Sequence, residues 1–213
     1  MNKLLLPILL CISFQLFAQT DDIPNYRSTR ENFKKMVEKD IRADLASYAL
    51  AGIDESLNKN PLPSIPATNI TDSFIEFSQD SFYIKISIGN FEKEKHKLNY
   101  YNEKYLVKID NKAFMGTNFT VPQKTITAVT FVSGKDTVKV PPAAIADLYE
   151  PVLSYYDRKS GAQKTHCAVY MSADKQRFYI YMINGSGKGS YEVTWVIQNK
   201  SYLRRVVDWG FEN

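Results

Sequence analysis

The sequence predicts a mainly β domain of the α+β class: an antiparallel β-sandwich or barrel-like assembly with one amphipathic helix near its N-terminus. Three observations predict it. From residue 73 onward, short β-branched and aromatic runs are separated by turn residues, the texture of antiparallel strands. Upstream, apolar residues recur at three- and four-residue steps from Phe33 to Tyr48, as on one face of a helix. Between the two, Pro61, Pro63 and Pro66 stand among Asn, Ser and Thr, a composition that sustains neither a helix nor an interior strand.

Residues 1 to 20 read MNKLLLPILLCISFQLFAQT, with Lys3 ahead of an apolar run from Leu4 to Phe17 and Ala18 ahead of a polar stretch. That is the three-part layout of a secretory signal peptide, assigned to residues 1–19. The run has 14 residues, fewer than the roughly 20 a helix needs to cross a bilayer, and no later segment is apolar enough to cross. The expectation is export through the Sec pathway to the periplasm or beyond, cleavage after Ala18 to leave Gln19 first, and no transmembrane segment in the mature chain. Cys11 follows Leu10 rather than a small residue, which argues against a lipidated start. With the signal removed, Cys167 is the single cysteine, so no intramolecular disulfide forms. A packed core must hold the remaining roughly 195 residues together. Loss of Lys3 takes the formal charge from +4 to +3, with both signs interspersed, so no nucleic-acid footprint is present.

Residues 20–213 are expected to form a single β-rich domain. Its helix is placed at about 29–51, with Ser28 as N-cap and Glu31 completing a capping box. Phe33, Met36, Val37, Ile41, Leu45 and Tyr48 form the apolar stripe, and Asp44 marks its edge. The Pro-rich connection, 53–69, runs over the surface. Strands follow within 73–208: Phe74–Phe77, Phe82–Ile88, Tyr105–Ile109, Ile126–Val132, Thr137–Val140, Cys167–Met171, Phe178–Ile183, Tyr191–Gln198 and Ser201–Val207. Asp110-Asn111, Ser133-Gly134 and Asn199-Lys200 are the hairpin turns, and PAAIADLY, 142–149, is a short helix led by proline. A two-residue turn at Asn199-Lys200 sets Glu192 opposite Val207 and Thr194 opposite Arg205. It also stacks Arg204 on Trp195 as a cation–π pair.

Each chemically suggestive cluster has an ordinary explanation. GSGKGS, 185–190, carries the Gly187-Lys188 step of a phosphate loop, but it lacks the upstream glycine and the following hydroxyl and leads into a strand, so it reads as a hairpin loop. Ser186 has no nucleophile elbow around it. Glu92, Glu94 and His96 alternate, and on an extended strand would present three ligands to a metal, yet Lys93, Lys95 and Lys97 interleave with them as on a solvated edge. His166 and Cys167 are neighbours that point to opposite faces of a strand, which leaves Cys167 a buried, inert thiol. Asp72, Glu76, Asp80, Glu192 and Asp208 lie near strand ends without a spacing that pairs them. Neither a cofactor nor a metal is expected. The 14 Tyr and 12 Phe are the one informative bias, with Phe178-Tyr179-Ile180-Tyr181 the densest run. Such rings either fill a sandwich core and its edges, the commoner case, or line an exposed face that binds. In the second case Tyr179, Tyr181, Trp195 and Arg204 are the binding residues.

The signal ending in FAQT, the segment PPAAIADLYEP at 141–151 and above all GSGKGSYEVTWVIQNKSYLRRVVDWGF at 185–211 resemble uncharacterised exported proteins of the Bacteroidetes. The resemblance implies an exported protein and supplies no active site. Asp136-Thr137-Val138 is similar to the short O-glycosylation signal of those bacteria. The functional expectation is a non-enzymatic periplasmic or secreted module that binds a protein or envelope component, an immunity-type inhibitor of an imported toxin being one version. A secreted hydrolase acting on glycan or peptide is the alternative, using strand-end carboxylates, or Glu92, Glu94 and His96 around a metal. A small-ligand carrier enclosed by the sheet is the third.

Overall fold

A computed structural model describes residues 36–48, 62–184 and 189–209. Alternating burial builds its first sheet. In Phe74–Gln79 (β3) and Phe82–Asn90 (β4), Ile75, Phe77, Ile84 and Ile86 all point inward and are buried, the period of two expected of a strand with one wet face. Lys124–Ser133 (β7) buries Ile126, Val129 and Phe131; a bulge opposite Ser87 and Ile88 absorbs the odd step between the first two. Ala67–Ile70 (β2) and Asp136–Lys139 (β8) complete an antiparallel sheet in the order β2-β3-β4-β7-β8.

The second sheet is buried on both sides. Ser64–Ile65 (β1), Cys167–Met171 (β11), Arg177–Asn184 (β12), Tyr191–Gln198 (β13) and Ser201–Trp209 (β14) pair in that order, all antiparallel. Phe178, Ile180 and Met182 enter the sandwich core against the first sheet, while Tyr179 and Tyr181 project from the opposite face. That second face is covered by Lys39–Ala46 (α1), whose Ile41 and Leu45 pack with Met36 and Tyr48 on Tyr179, Tyr181 and Val196. The architecture is helix on sheet on sheet.

Several local expectations change. Of the expected helix 29–51, residues 36–48 are described, and among them the helix occupies Lys39–Ala46, with 36–38 and 47–48 outside it; Ser28 and Glu31 lie outside the described residues. Glu38 is extended (φ −76°, ψ 96°), its carboxylate 2.7 Å from Arg204, and Val37 leaves the stripe for solvent. Within the Pro-rich connection, β1 and β2 are edge strands of the two sheets on either side of Pro66, and an edge position tolerates a residue without an N–H. Segment 142–149 is a 3₁₀ turn, Pro142–Ala144, followed by irregular chain. Its carbonyls serve tertiary partners instead of a helix: Ala144 O accepts from Trp195 Nε1 at 2.9 Å, and Asp147 O from Met115 N at 2.8 Å.

The Asn199-Lys200 turn is present, with both residues left-handed (φ 49° and 59°) and Gln198 opposite Ser201. Asp110-Asn111 likewise turns left-handed (φ 51° and 63°), whereas the turn after β7 sits at Gly134-Lys135, since Ser133 pairs with Asp136. In the last hairpin a bulge at Val196/Ile197 shifts the register by one. Glu192 therefore faces Asp208, not Val207; Thr194 faces Val206, not Arg205; and Trp195 faces Arg205, not Arg204. A one-residue slip exchanges the faces, so Arg204 turns to the helix side and Arg205 to the sandwich side, where it forks onto Asp147 at 2.5 and 2.8 Å. Two further hairpins stand outside the sheets: Leu98–Tyr101 (β5) with Tyr105–Ile109 (β6), and Ser154–Asp157 (β9) with Ala162–Thr165 (β10).

Candidate functional site

The four residues singled out from the sequence occupy structural positions. Tyr179 is enclosed beneath α1 and its hydroxyl donates to Asp44, while Arg177 Nε lies 3.5 Å from the same carboxylate. Tyr181 is also enclosed, edge-on to Tyr48, and donates to Glu192 Oε2 at 2.6 Å. Burial raises both phenols far above their ordinary range, which keeps them as donors. Arg204 reaches Glu38 at the start of α1, and Trp195 holds the Ala144 carbonyl from inside the core. Together these groups fasten the helix and the 142–149 segment to the second sheet.

Glu192 is 8% exposed and faces Asp208 across the strand pair. Burial first, and then the charge of Asp208, pushes its carboxyl from 4.5 up to about 7, against the Tyr181 hydroxyl, which favours the anion. The folded state thus keeps a proton that the unfolded chain has already lost. This group's contribution to stability is unimpaired below pH 4.5, falls between 4.5 and 7, and stays reduced above; the interval corresponds to about 3 kcal/mol at 1.36 kcal/mol per pH unit. Glu192→Gln is therefore expected to raise the unfolding free energy at pH 8 and to leave it nearly unchanged at pH 4. Urea unfolding at both values checks this, and an equal increment at both would contradict it.

The other suggestive clusters separate. Lys93–Lys95 is a 3₁₀ turn, so Glu92, Glu94 and His96 do not alternate on one strand face; Glu92 pairs with Lys95 at 2.8 Å, while His96 stacks on Phe91 and meets Asp110 at 2.7 Å. Among the described residues no group of three His, Cys, Asp or Glu side chains is placed to hold a metal. Cys167 is buried, which pushes its thiol far up, and His166 lies edge-on to Tyr155. Glu76 accepts from Tyr83, Lys85 and Asn69 and so ties β2, β3 and β4 together. Of GSGKGS, residues 185–188 lie outside the described residues. Gly189 packs so tightly that an added Cβ would stand 2.9 Å from the Thr117 backbone.

The exposed aromatic surface lies elsewhere, on the β5–β6 hairpin. Tyr101 and Tyr105 are cross-strand partners, 62% and 42% exposed, joined through a turn whose Asn102 and Glu103 are both left-handed. The edge of the Tyr105 ring meets Phe119, which is 51% exposed. Phe119 has φ 62°, a conformation that costs a bulky residue about 1–3 kcal/mol, and its carbonyl is held by the Leu106 N–H at 2.9 Å. Beneath, Leu106 and Ile109 pack on Tyr149 and anchor the hairpin to the body of the domain. Lys104 Nζ sits 5.2 Å from the Tyr105 ring centre. The register puts Lys108, opposite Asn99, on the same face as the Tyr101–Tyr105 pair. Beside Phe119 opens a cavity of about 130 Å³, lined by Leu106, Phe114, Met115, Asn118, Phe119 and Ser190 among others; Ser190 is buried and its hydroxyl has no hydrogen-bond partner.

The β9–β10 hairpin also exposes rings, Tyr155 and Tyr156; Tyr156 is open to solvent, while its neighbours are engaged within the domain. Tyr155 packs on His166, and Lys164 lies 3.6 Å from Asp157. Of the β5–β6 site the sequence predicts β6, Tyr105–Ile109, but not β5, because in LNYYNEKY four of eight residues are Asn, Glu or Lys and the segment ahead of Tyr105 reads as loop.

Among known proteins, the chain matches no family model, no curated protein and no solved structure. Among the described residues no helix is long and apolar enough to cross a membrane.

Proposed function

We propose that this chain is an exported binding module that recognises a protein or an envelope component, and that Tyr101, Tyr105 and Phe119 form its contact surface. One observation carries the reading: Phe119 is held in a strained left-handed conformation while its ring stays half in solvent against Tyr105. Strain of that kind is retained where surrounding structure enforces it, and such positions concentrate at ligand-contacting sites. Export rests on the signal-like residues 1–19 and on the resemblance to exported bacterial proteins. A hydrolase would need two acids converging in an open cleft. Glu192, which faces Asp208, is closed in beside Tyr181 and accepts its hydroxyl, which favours binding over catalysis.

The test is affinity capture from envelope extracts of the source cells, with the chain from Gln19 onward as bait. A partner retained by the wild-type chain and lost with Tyr101→Ala/Tyr105→Ala, at unchanged melting temperature, is the expected result. Equal retention by both baits, or no retained component where a control bait succeeds, would overturn the reading. A stoichiometric protein partner would correspond to the immunity-type version.

A further inference from the structure

The β5–β6 face combines two kinds of chemistry that point to one kind of ligand. Tyr101, Tyr105 and Phe119 offer flat apolar faces, two of them with hydroxyl tips. Lys104 and Lys108 are exposed on or beside the same face, and neither has an acidic partner among the described residues. Among the acids of the region, Asp110 is occupied by His96 and the Lys97 N–H and Glu92 by Lys95, while Glu103, in the turn beside Lys104, is exposed. The face is therefore aromatic, with two lysines, Lys104 and Lys108, against the one carboxylate of Glu103.

We infer that this face binds an acidic polysaccharide, a reading that rests on the contact surface proposed above. Sugar rings stack on the aromatic faces, and their carboxylates or phosphates pair with Lys104 and Lys108. One consideration weighs against a protein occupant. Lysine is depleted where proteins meet, because its strongly hydrated ammonium is costly to bury. The adjoining cavity has a volume of about 130 Å³. Its Asn118 and Ser190 suit a hydroxyl at the edge of a sugar.

The test uses protein expressed from the full-length sequence in native gels containing alginate, hyaluronate or polygalacturonate, with dextran as neutral polymer and phosphatidylglycerol vesicles assayed by co-sedimentation. Retardation by at least one acidic polymer is expected, weakened about tenfold or more by Tyr101→Ala/Tyr105→Ala. Lys104→Gln/Lys108→Gln and added salt should weaken it as well. No retardation by any acidic polymer, retardation unchanged in the tyrosine variant, equal retardation by dextran, or binding to vesicles alone would each overturn the inference. Capture that still depends on Tyr101 and Tyr105 while the acidic polymers fail would remove this inference and leave the contact surface standing.

Discussion

Trp195→Ala is expected to lower the unfolding free energy by about 3–5 kcal/mol, the range for removing a large buried aromatic. The ring is fully enclosed in the sandwich core, on the interior strand β13, with β12 and β14 on either side. Its indole N–H also satisfies the Ala144 carbonyl, so truncation leaves both a cavity and a buried unpaired acceptor. Trp195→Phe separates the two effects, because it keeps most of the burial and loses the hydrogen bond. Urea unfolding of the three proteins measures both contributions. A melting temperature for Trp195→Ala equal to wild type would contradict burial of the ring.

The second large effect is expected at the Arg205–Asp147 pair. Arg205 is buried at 7% exposure and its guanidinium forks onto both carboxylate oxygens of Asp147. Removing either partner breaks a two-pronged ion pair in a poorly solvated site, which costs about 3–5 kcal/mol. Replacing both with leucine leaves neither half of the pair behind. The expected order is therefore Arg205→Ala and Asp147→Ala each well below wild type, with Arg205→Leu/Asp147→Leu less damaged than either. A double-mutant cycle by urea unfolding reads the coupling directly. Single-variant losses under about 1 kcal/mol would instead mark the pair as an ordinary surface one.

The same two residues illustrate what the sequence made legible. Strands whose side-chain pattern reflects burial are found residue for residue: Tyr105–Ile109, Cys167–Met171 and Tyr191–Gln198. The turn at Asn199-Lys200 is equally readable, because few residues accept two successive left-handed conformations. The bulge at Val196/Ile197 leaves no compositional trace, yet it decides that Arg205 rather than Arg204 enters the interior. Short strands that face solvent, such as Ser154–Asp157 and Ala162–Thr165, carry no alternation and cannot be told from loops.

The candidate site follows the same logic. Tyrosine abundance is plain in the sequence, but whether a given ring is inside depends on what covers it. Tyr179 and Tyr181 lie in a strand whose outer face is roofed by α1, so the helix turns a candidate surface into a second core. Tyr101 and Tyr105 lie in a hairpin with only its inner side, Leu106 and Ile109, packed on the domain, so their rings stay in solvent. Phe119 is invisible beforehand for a different reason: its left-handed backbone is imposed by the tertiary bond from the Leu106 N–H, and nothing local in the sequence calls for it.

The most direct measurement is capture from envelope extracts with three baits side by side: wild type, Tyr101→Ala/Tyr105→Ala, and Tyr155→Ala/Tyr156→Ala. The last removes the rings of the other exposed hairpin and controls for general loss of surface aromatics. Retention by wild type and by the Tyr155/Tyr156 variant, with loss confined to the Tyr101/Tyr105 variant, is the predicted result. Retention by the Tyr101/Tyr105 variant at wild-type level would contradict the assignment of the β5–β6 face as the working surface.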